Sequence, residues 1–420
     1  MKMKKNNLLI LAVAALGFAA CANDETTAVN EKLAESNAIS FRTTVAGQMR
    51  AADITNVNLG EFNAEAFFTG TTENPYFSNV TFTKDGGTFK SENKYYWPAS
   101  KNLDFYAYSP INNTQLDKTN YKTFVVTPST TISSQVDLIY ACTKNWGKST
   151  TGQTSGHVIP TATGVTINFR HAESKIVLKV KNSEPNMKFE VMGFKIVNVD
   201  GVGTFTYADA NTDGQNTDEA ASGTTLAYAD WSGNTDPAER TAFYSTGNFS
   251  VNNIVPASQS TAEFLNHAAA FVTSESTTDE AINMILVPQQ TTAASAYSAS
   301  AAGSAITTAT GGSYIAVKMK IRNNDTKGDD GTGTGNGTLI EDASEDGYWA
   351  IWPVDFNWAP GKKYTYTIDL GGGGYWEKNK KGDDTALDPV LDGAVIQFVT
   401  VTVDDWDNNA VNVPAAPVVP

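Results

Sequence analysis

Polar and apolar residues alternate with a period of two along much of this chain. Residues 364–370 set Tyr364, Tyr366, Ile368 and Leu370 on one side, with Thr365, Thr367 and Asp369 on the other. The same pattern recurs at 315–321, 176–180 and 395–403, and in shorter form at 39–43 and 103–108. Alternation carried by Val, Ile, Thr and Tyr marks strands with one face buried and one in water. Threonine suits the wet face. Helical periodicity is scarce. Residues 293–302 are Ala- and Ser-rich with Tyr297 as their one bulky side chain, too little to fasten a helix to a core, and read as loop. Residues 209–236 and 323–337 also read as loops, and Gly371 to Gly374 as a flexible turn ahead of Tyr375-Trp376. Strands at regular intervals joined by Gly-rich turns predict an all-β protein made of sandwiches.

Length and chain order divide this pattern. About 400 residues remain once the N-terminal leader is set aside, more than one core usually serves, which predicts two domains. A hydrophobic content of 41% is ample to fill both. The polar break Asn182-Ser183-Glu184-Pro185-Asn186 is the natural boundary, giving an N-terminal sandwich over 38–184 and a C-terminal sandwich over 185–420. Residues 22–37 are polar and acidic, without periodicity, and read as a tether.

Residues 1–21 are of a different kind. Lys2, Lys4 and Lys5 precede an almost unbroken apolar run from Leu8 to Ala20, and Cys21 follows Phe18-Ala19-Ala20. A basic start, about 7–15 apolar residues and small residues before the cut make a secretory signal. The run is too short to cross a hydrocarbon core of roughly 30 Å as a helix. A cysteine directly after two alanines stands where a bacterial lipoprotein is cleaved and acylated, although Phe18 occupies a position where Leu is usual. Cys21 is therefore the candidate lipidation site; an ordinary signal peptide with a chance cysteine is the competing reading. Asp24 and Glu25 lie beside this anchor, resembling the acidic patch that sends some lipoproteins to the outer face of the outer membrane. The expected location is the cell outer membrane, exposed at the surface. Removing Lys2, Lys4 and Lys5 with the leader turns a net charge of −15 into about −18. Such a surface repels nucleic acid and anionic headgroups, which argues against DNA, RNA or peripheral membrane binding.

Catalytic chemistry finds little to build on. Only three histidines occur, His157, His171 and His267, none with a second ligand at metal spacing in sequence. His171, in Phe169-Arg170-His171-Ala172, reads as structural. Cys142 is the only cysteine besides Cys21, so no intramolecular disulfide is expected after lipidation, and the apolar run before it predicts a buried small hydrophobe. No nucleophile elbow, zinc-helix, P-loop or dinucleotide pattern is present. No enzyme activity and no cofactor are expected. Asp209, Asn211 and Asp213, followed by Gly214, reproduce the start of an oxygen-ligand calcium loop, but Ala220 stands where the closing glutamate belongs. A solvated acidic turn is the better reading of that segment, and no metal is assigned. Tyr95-Tyr96-Trp97, Tyr348-Trp349, Trp352 and Tyr375-Trp376 are candidates for stacking on sugar rings, against the competing reading of core packing, which the residue types favour.

Five segments carry a resemblance. They are Tyr95-Tyr96-Trp97-Pro98-Ala99 leading into 103–108, and Ile167-Asn168-Phe169-Arg170-His171-Ala172-Glu173-Ser174-Lys175-Ile176. Met284-Ile285-Leu286-Val287-Pro288-Gln289 follows, then Trp358-Ala359-Pro360-Gly361-Lys362-Lys363-Tyr364-Thr365-Tyr366, then Val401-Thr402-Val403-Asp404-Asp405-Trp406. In this order, behind a lipoprotein signal, they resemble the fimbrillin family, the lipoprotein-derived type V pilins and their Mfa-like relatives. The resemblance implies two tandem transthyretin-like β-sandwich domains. It also implies a route: the lipidated precursor reaches the surface, a trypsin-like protease cuts after an arginine near the N-terminus, and loss of the first strand opens a groove. A strand of a neighbouring subunit then fills it.

On this sequence the lost strand maps to residues 39–44. Arg42 lies inside it, so Arg50, in Gln48-Met49-Arg50-Ala51-Ala52, is the candidate processing site, with an ordinary loop arginine as the alternative. The donor is less clear. Residues 395–403 read as part of the C-terminal sandwich, and 410–420 offer Val411 and Val413 before Pro414, Pro417 and Pro420. The expected function is a structural or accessory (tip) subunit of a surface fimbria involved in adhesion, with other pilin subunits as partners by strand addition, a host or bacterial surface ligand, and the outer membrane reached through the lipid. An anchor or stand-alone member stays open. The alternative is a lipid-anchored surface protein that binds glycans or adheres without polymerising.

Overall fold

A computed structural model describes residues 38–45, 59–130, 134–147, 157–158, 164–182, 184, 186–207, 230–233, 240–246, 272–273, 284–293, 312–335, 337–340, 348–376, 390 and 400–405. Strands dominate. The first ten are β1 (Phe41–Val45), β2 (Glu61–Phe68), β3 (Phe77–Asp85), β4 (Thr88–Lys90), β5 (Leu103–Ser109), β6 (Leu116–Lys118), β7 (Thr123–Val126), β8 (Ile139–Gly147), β9 (His157–Val158) and β10 (Val165–His171). Next come β11 (Ser174–Lys181), β12 (Met187–Asp200), β13 (Gly203–Thr206), β14 (Asp230–Gly233), β15 (Arg240–Thr246) and β16 (Val272–Thr273). The last are β17 (Met284–Leu286), β18 (Tyr314–Asn323), β19 (Tyr348–Pro353), β20 (Lys362–Asp369), β21 (Tyr375–Trp376) and β22 (Thr400–Asp405).

Seven strands close a ring in the order β10-β1-β4-β3-β2-β5-β8, and β8 returns to β10 through Tyr140↔Arg170 and Ile139↔His171. Closure removes sheet edges. Inside the ring alternate residues interlock: Phe62, Phe82, Phe105, Ile167 and Phe169 are buried there with Phe41. A second core lies between two other sheets, β16-β11-β20-β22 and β15-β12-β18-β19-β21. Ile176, Leu178, Tyr364, Tyr366 and Ile368 face Phe189, Phe194, Ile315, Val317 and Trp352 across it. Here the predicted apolar faces of 364–370 and 315–321 are buried as expected, but Thr365, Asp369 and Ala316 on the opposite faces are buried as well, so these strands are covered more fully than the alternation implied. The glycine turn is less free than it reads. Gly374 sits at φ +150°, and a Cβ there would lie 2.8 Å from the Trp352 indole.

The division of the chain differs from the expected one. The polar break at 182–186 joins β11 to β12, and both strands fill the second core. The passage from one core to the other falls at Ala172-Glu173, between β10 and β11, where there is no proline and no polar run to mark it. The tandem arrangement is also stitched. β13 and β14, which follow β12 in the chain, pair with β7 and β6 in a sheet of order β14-β13-β7-β6. Its Phe124, Phe205 and Tyr207 pack on Tyr106 and Tyr140, the outward side chains of β5 and β8. Hence β2, β5 and β8 are buried on both faces, not on one as the alternation at 103–108 implied. β14 itself lies within 209–236, a segment read as loop; its pairing Phe205↔Trp231 shows that tertiary pairing overrode the Asp/Gly/Ser composition.

The stitch should be energetically visible. Phe205→Ala empties a buried aromatic site and is expected to lower the unfolding free energy by about 3–5 kcal/mol. Tyr207→Phe removes a hydrogen bond from the Tyr207 hydroxyl to the Ala107 carbonyl, 2.5 Å long, and is expected to lose about 1 kcal/mol. Urea denaturation measures both; an unmoved midpoint for Phe205→Ala would mean that the small sheet is not part of the cooperative fold.

Candidate functional site

The element that stands apart is β1. Ile39 and Phe41 alternate with Ser40 and Arg42, and the alternation decides their fates: Ile39 is 2% and Phe41 0% exposed, while Arg42 faces water. The Phe41 ring sits edge-on to Phe82, Phe105 and Phe62, with centroids at 4.7, 5.1 and 5.6 Å. Edge-to-face aromatic contacts of this kind add to plain burial.

Main-chain pairing of β1 is lopsided. On one side it runs parallel to β10 over five residue pairs, from Phe41↔Val165 to Val45↔Phe169. On the other it meets β4 at the single pair Phe41↔Phe89. At the strand's start, Ile39 N–H donates to the Tyr95 carbonyl at 2.7 Å, and Val165 N–H to the Ser40 carbonyl at 2.8 Å. Gly164 permits that second approach: it holds φ +74°, and a Cβ there would lie 2.6 Å from the Ser40 carbonyl oxygen. β1 is thus a strand gripped by its backbone along β10 and pinned by one aromatic side chain in a socket of phenylalanines. Gly164 and the socket were not singled out from sequence. The socket's members lie far apart in the chain, and no local pattern marks a glycine that must admit another strand's carbonyl.

The other sequence-derived candidates fall as follows. Cys21, Arg50, Asp209, Asn211 and Asp213 all lie outside the described residues, as do Ala220 and His267. Arg50 belongs to the segment 46–58 that joins β1 to β2. Among the described residues no group of three or more His, Cys, Asp or Glu side chains is placed to hold a metal ion. Cys142 is buried beside the outward aromatic cluster. The sugar-stacking candidates are largely core: Trp352 and Trp376 are buried, Tyr95 packs on Phe77 at 4.9 Å and Trp97 on Phe105 at 5.8 Å. Trp349 lies under the Lys195 ammonium at 4.5 Å. Tyr96 alone of them is markedly exposed, at 43%.

His171 takes a structural place. Its Nδ1 is 2.9 Å from Asp137 Oδ1, and the two side chains are 1% and 0% exposed, sealed from any substrate. Two residues on, the buried Glu173 carboxylate accepts a hydrogen bond from Leu138 N–H at 3.0 Å through Oε2, while Oε1 has no hydrogen-bond partner. This polar group sits where the chain passes between the cores. Gly361 N–H donates to the Glu173 carbonyl, Ser174 Oγ to the Ala359 carbonyl, and Ile285 N–H to Gln135 Oε1. Burial pushes the Glu173 carboxyl up to about 8, against a lowering by the Leu138 hydrogen bond; the neighbouring Asp137 raises it further and His171 opposes.

A model of the fimbrillin-like family matches residues 50–406. The chain belongs to the fimbrillin-like family. That family is structural, not catalytic, and fimbrial subunits and adhesion-like proteins of the cell surface make it up. Solved structures to which the chain is similar include a candidate cell-adhesion protein from Bacteroides ovatus, 13% identical, covering 88% of this chain and 97% of that one, with a TM-score of 0.38. A fimbrilin from Porphyromonas gingivalis W83 is 11% identical over 88% of this chain and 97% of its own, at 0.37. The fimbrial anchor protein Mfa2 of Porphyromonas gingivalis is 11% identical over 86% and 99%, at 0.28. No curated protein matches the sequence. β1 lies upstream of the matched range of this fimbrillin-like chain, and its pairing partner β10 lies within it.

Two substitutions read the site. Phe41→Ala is expected to lower the unfolding free energy by about 3–5 kcal/mol in chemical denaturation, because the three surrounding rings cannot close the space. For Glu173 the sign follows from a folded pKa raised above the unfolded one. The native state keeps a proton that the unfolded chain releases, so this contribution is full below about pH 4.5 and lost as pH rises to about 8. Glu173→Gln is expected to flatten the decline between pH 5 and 8, a slope of up to about 1.4 kcal/mol per pH unit. Denaturation midpoints across that range measure it, and equal slopes in both proteins would refute the assignment.

Proposed function

We propose that this fimbrillin-like chain is a structural or accessory subunit of a surface fimbria, a tip subunit included, that sheds β1 by cleavage after Arg50 and takes up a strand from a neighbouring subunit. The observation that carries this reading is the placement of β1: it completes a closed ring, places Phe41, with the preceding Ile39, in its core, and connects to β2 through the segment that contains Arg50. Strand addition explains how such a subunit assembles. An open edge along Val165–Phe169 would regain its hydrogen bonds from the incoming backbone, and alternate side chains would refill the sites of Ile39 and Phe41.

Cleavage supplies the switch. While β1 is covalently attached it competes at an effective concentration in roughly the millimolar range, which an external strand rarely matches. Once cut, it becomes one more dilute ligand, and a heterologous contact that does not close on itself extends into a filament. Lipidation at Cys21 would hold the uncut precursor to the outer membrane, with adhesion the role of the assembled surface structure.

The test is N-terminal peptide mass spectrometry on protein from sheared surface material. A start at Ala51 without lipid is the expected result. A lipidated Cys21 start confined to the membrane fraction would instead identify a tethered protein that keeps its first strand.

A further inference from the structure

We infer that the groove under β1 selects for a strand with an aromatic side chain at the Phe41 position, a demand that residues 406–420 of a second copy do not meet. This rests on the strand-exchange reading above and adds to it the identity of the side chain that the groove demands.

The seated strand shows what fits. A donor replacing β1 must run parallel to β10, with one side chain opposite Val165 and pointing inward. At that register position the walls are the rings of Phe62, Phe82 and Phe105, each in edge or near-edge contact with Phe41. Phe62 stacks on Phe82 with centroids 5.8 Å apart, so the walls are fastened to each other as well as to their occupant. A close-packed interior relaxes only partly around a missing ring, and the space left behind weakens binding in proportion to its volume. Two residues earlier the groove takes an aliphatic side chain, that of Ile39. The groove's rule is aliphatic, then a half-buried residue set against Gly164 as Ser40 is, then aromatic.

Residues 406–420 do not follow it. Val411 and Val413 are the alternating apolar pair there, and neither has a ring. Trp406 is aromatic but comes one residue after β22, whose Asp405 still pairs with Lys362 of β20. Pro414 follows Val413 directly and has no N–H to offer β10. A donor drawn from this segment would leave the phenylalanine socket underfilled and the pairing short.

The experiment uses the full chain with a specific protease site substituted at residues 46–50. After cutting, the fragment containing β1 stays seated and is challenged with labelled peptides in excess. The peptides are residues 38–45, the same peptide with Phe41→Ala, and residues 406–420; native mass spectrometry reads which ones replace the seated fragment. The expected result is uptake of residues 38–45, with both other peptides held on the order of a hundredfold more weakly, as loss of a buried aromatic side chain implies. Uptake of 406–420, or of the Phe41→Ala peptide, as strong as that of 38–45 would overturn the socket rule while leaving strand exchange intact. Failure of all three peptides to enter would overturn strand exchange itself, and the inference with it.

Discussion

The N-terminal core is a ring of strands, and the ring closes through β1. A closed sheet leaves no row of unpaired N–H and C=O groups, which is what keeps a β-rich chain from pairing with its neighbours. In this molecule that protection depends on a short strand held along one side by five residue pairs and on the other by one. The Phe41 side chain offsets that weak pairing by standing among three other rings. The five backbone pairs with β10 and the buried Ile39 and Phe41 side chains together hold the ring closed.

Beyond the ring, the molecule is braced. The two cores do not simply follow one another, because the small sheet of β6, β7, β13 and β14 draws strands from both sides of the passage at Ala172-Glu173. Its aromatic residues cover the outer faces of β2, β5 and β8 and turn half-buried strands into fully buried ones. Under that cover the buried Asp137, His171 and Glu173 fix the crossing point through side-chain and main-chain hydrogen bonds. Burial of charge is costly unless paired. Keeping a proton on Glu173 is how the fold lowers that cost, and it makes the junction sensitive to pH.

Much was legible along the chain. Period-two alternation located the strands at 39–43, 103–108, 176–180, 315–321 and 364–370, because side chains on a strand point to opposite faces in turn, although several of these strands are buried on both faces. The resemblance carried by Phe169-Arg170-His171-Ala172 and by Trp358 to Tyr366 pointed to the family that the match over residues 50–406 shows. The structural reading of His171 and the buried reading of Cys142 also describe what is observed. Other features were not legible. The boundary at 182–186 was placed by polarity, yet polar residues mark any exposed turn, whether it joins two domains or two strands of one core. β14 was hidden in a segment whose composition suits loops, since a strand laid on an existing sheet edge needs little intrinsic propensity.

Alternation, turn residues and order of motifs determined that this is an all-β, fimbrillin-like chain, because those properties depend on neighbours a few residues apart. Tertiary structure alone decided which strand closes the ring, which rings surround Phe41, why residue 164 must be glycine and where one core gives way to the next. Each of these joins residues tens to more than a hundred positions apart. Their proximity follows from how sheets pair and pack, and no local pattern records it.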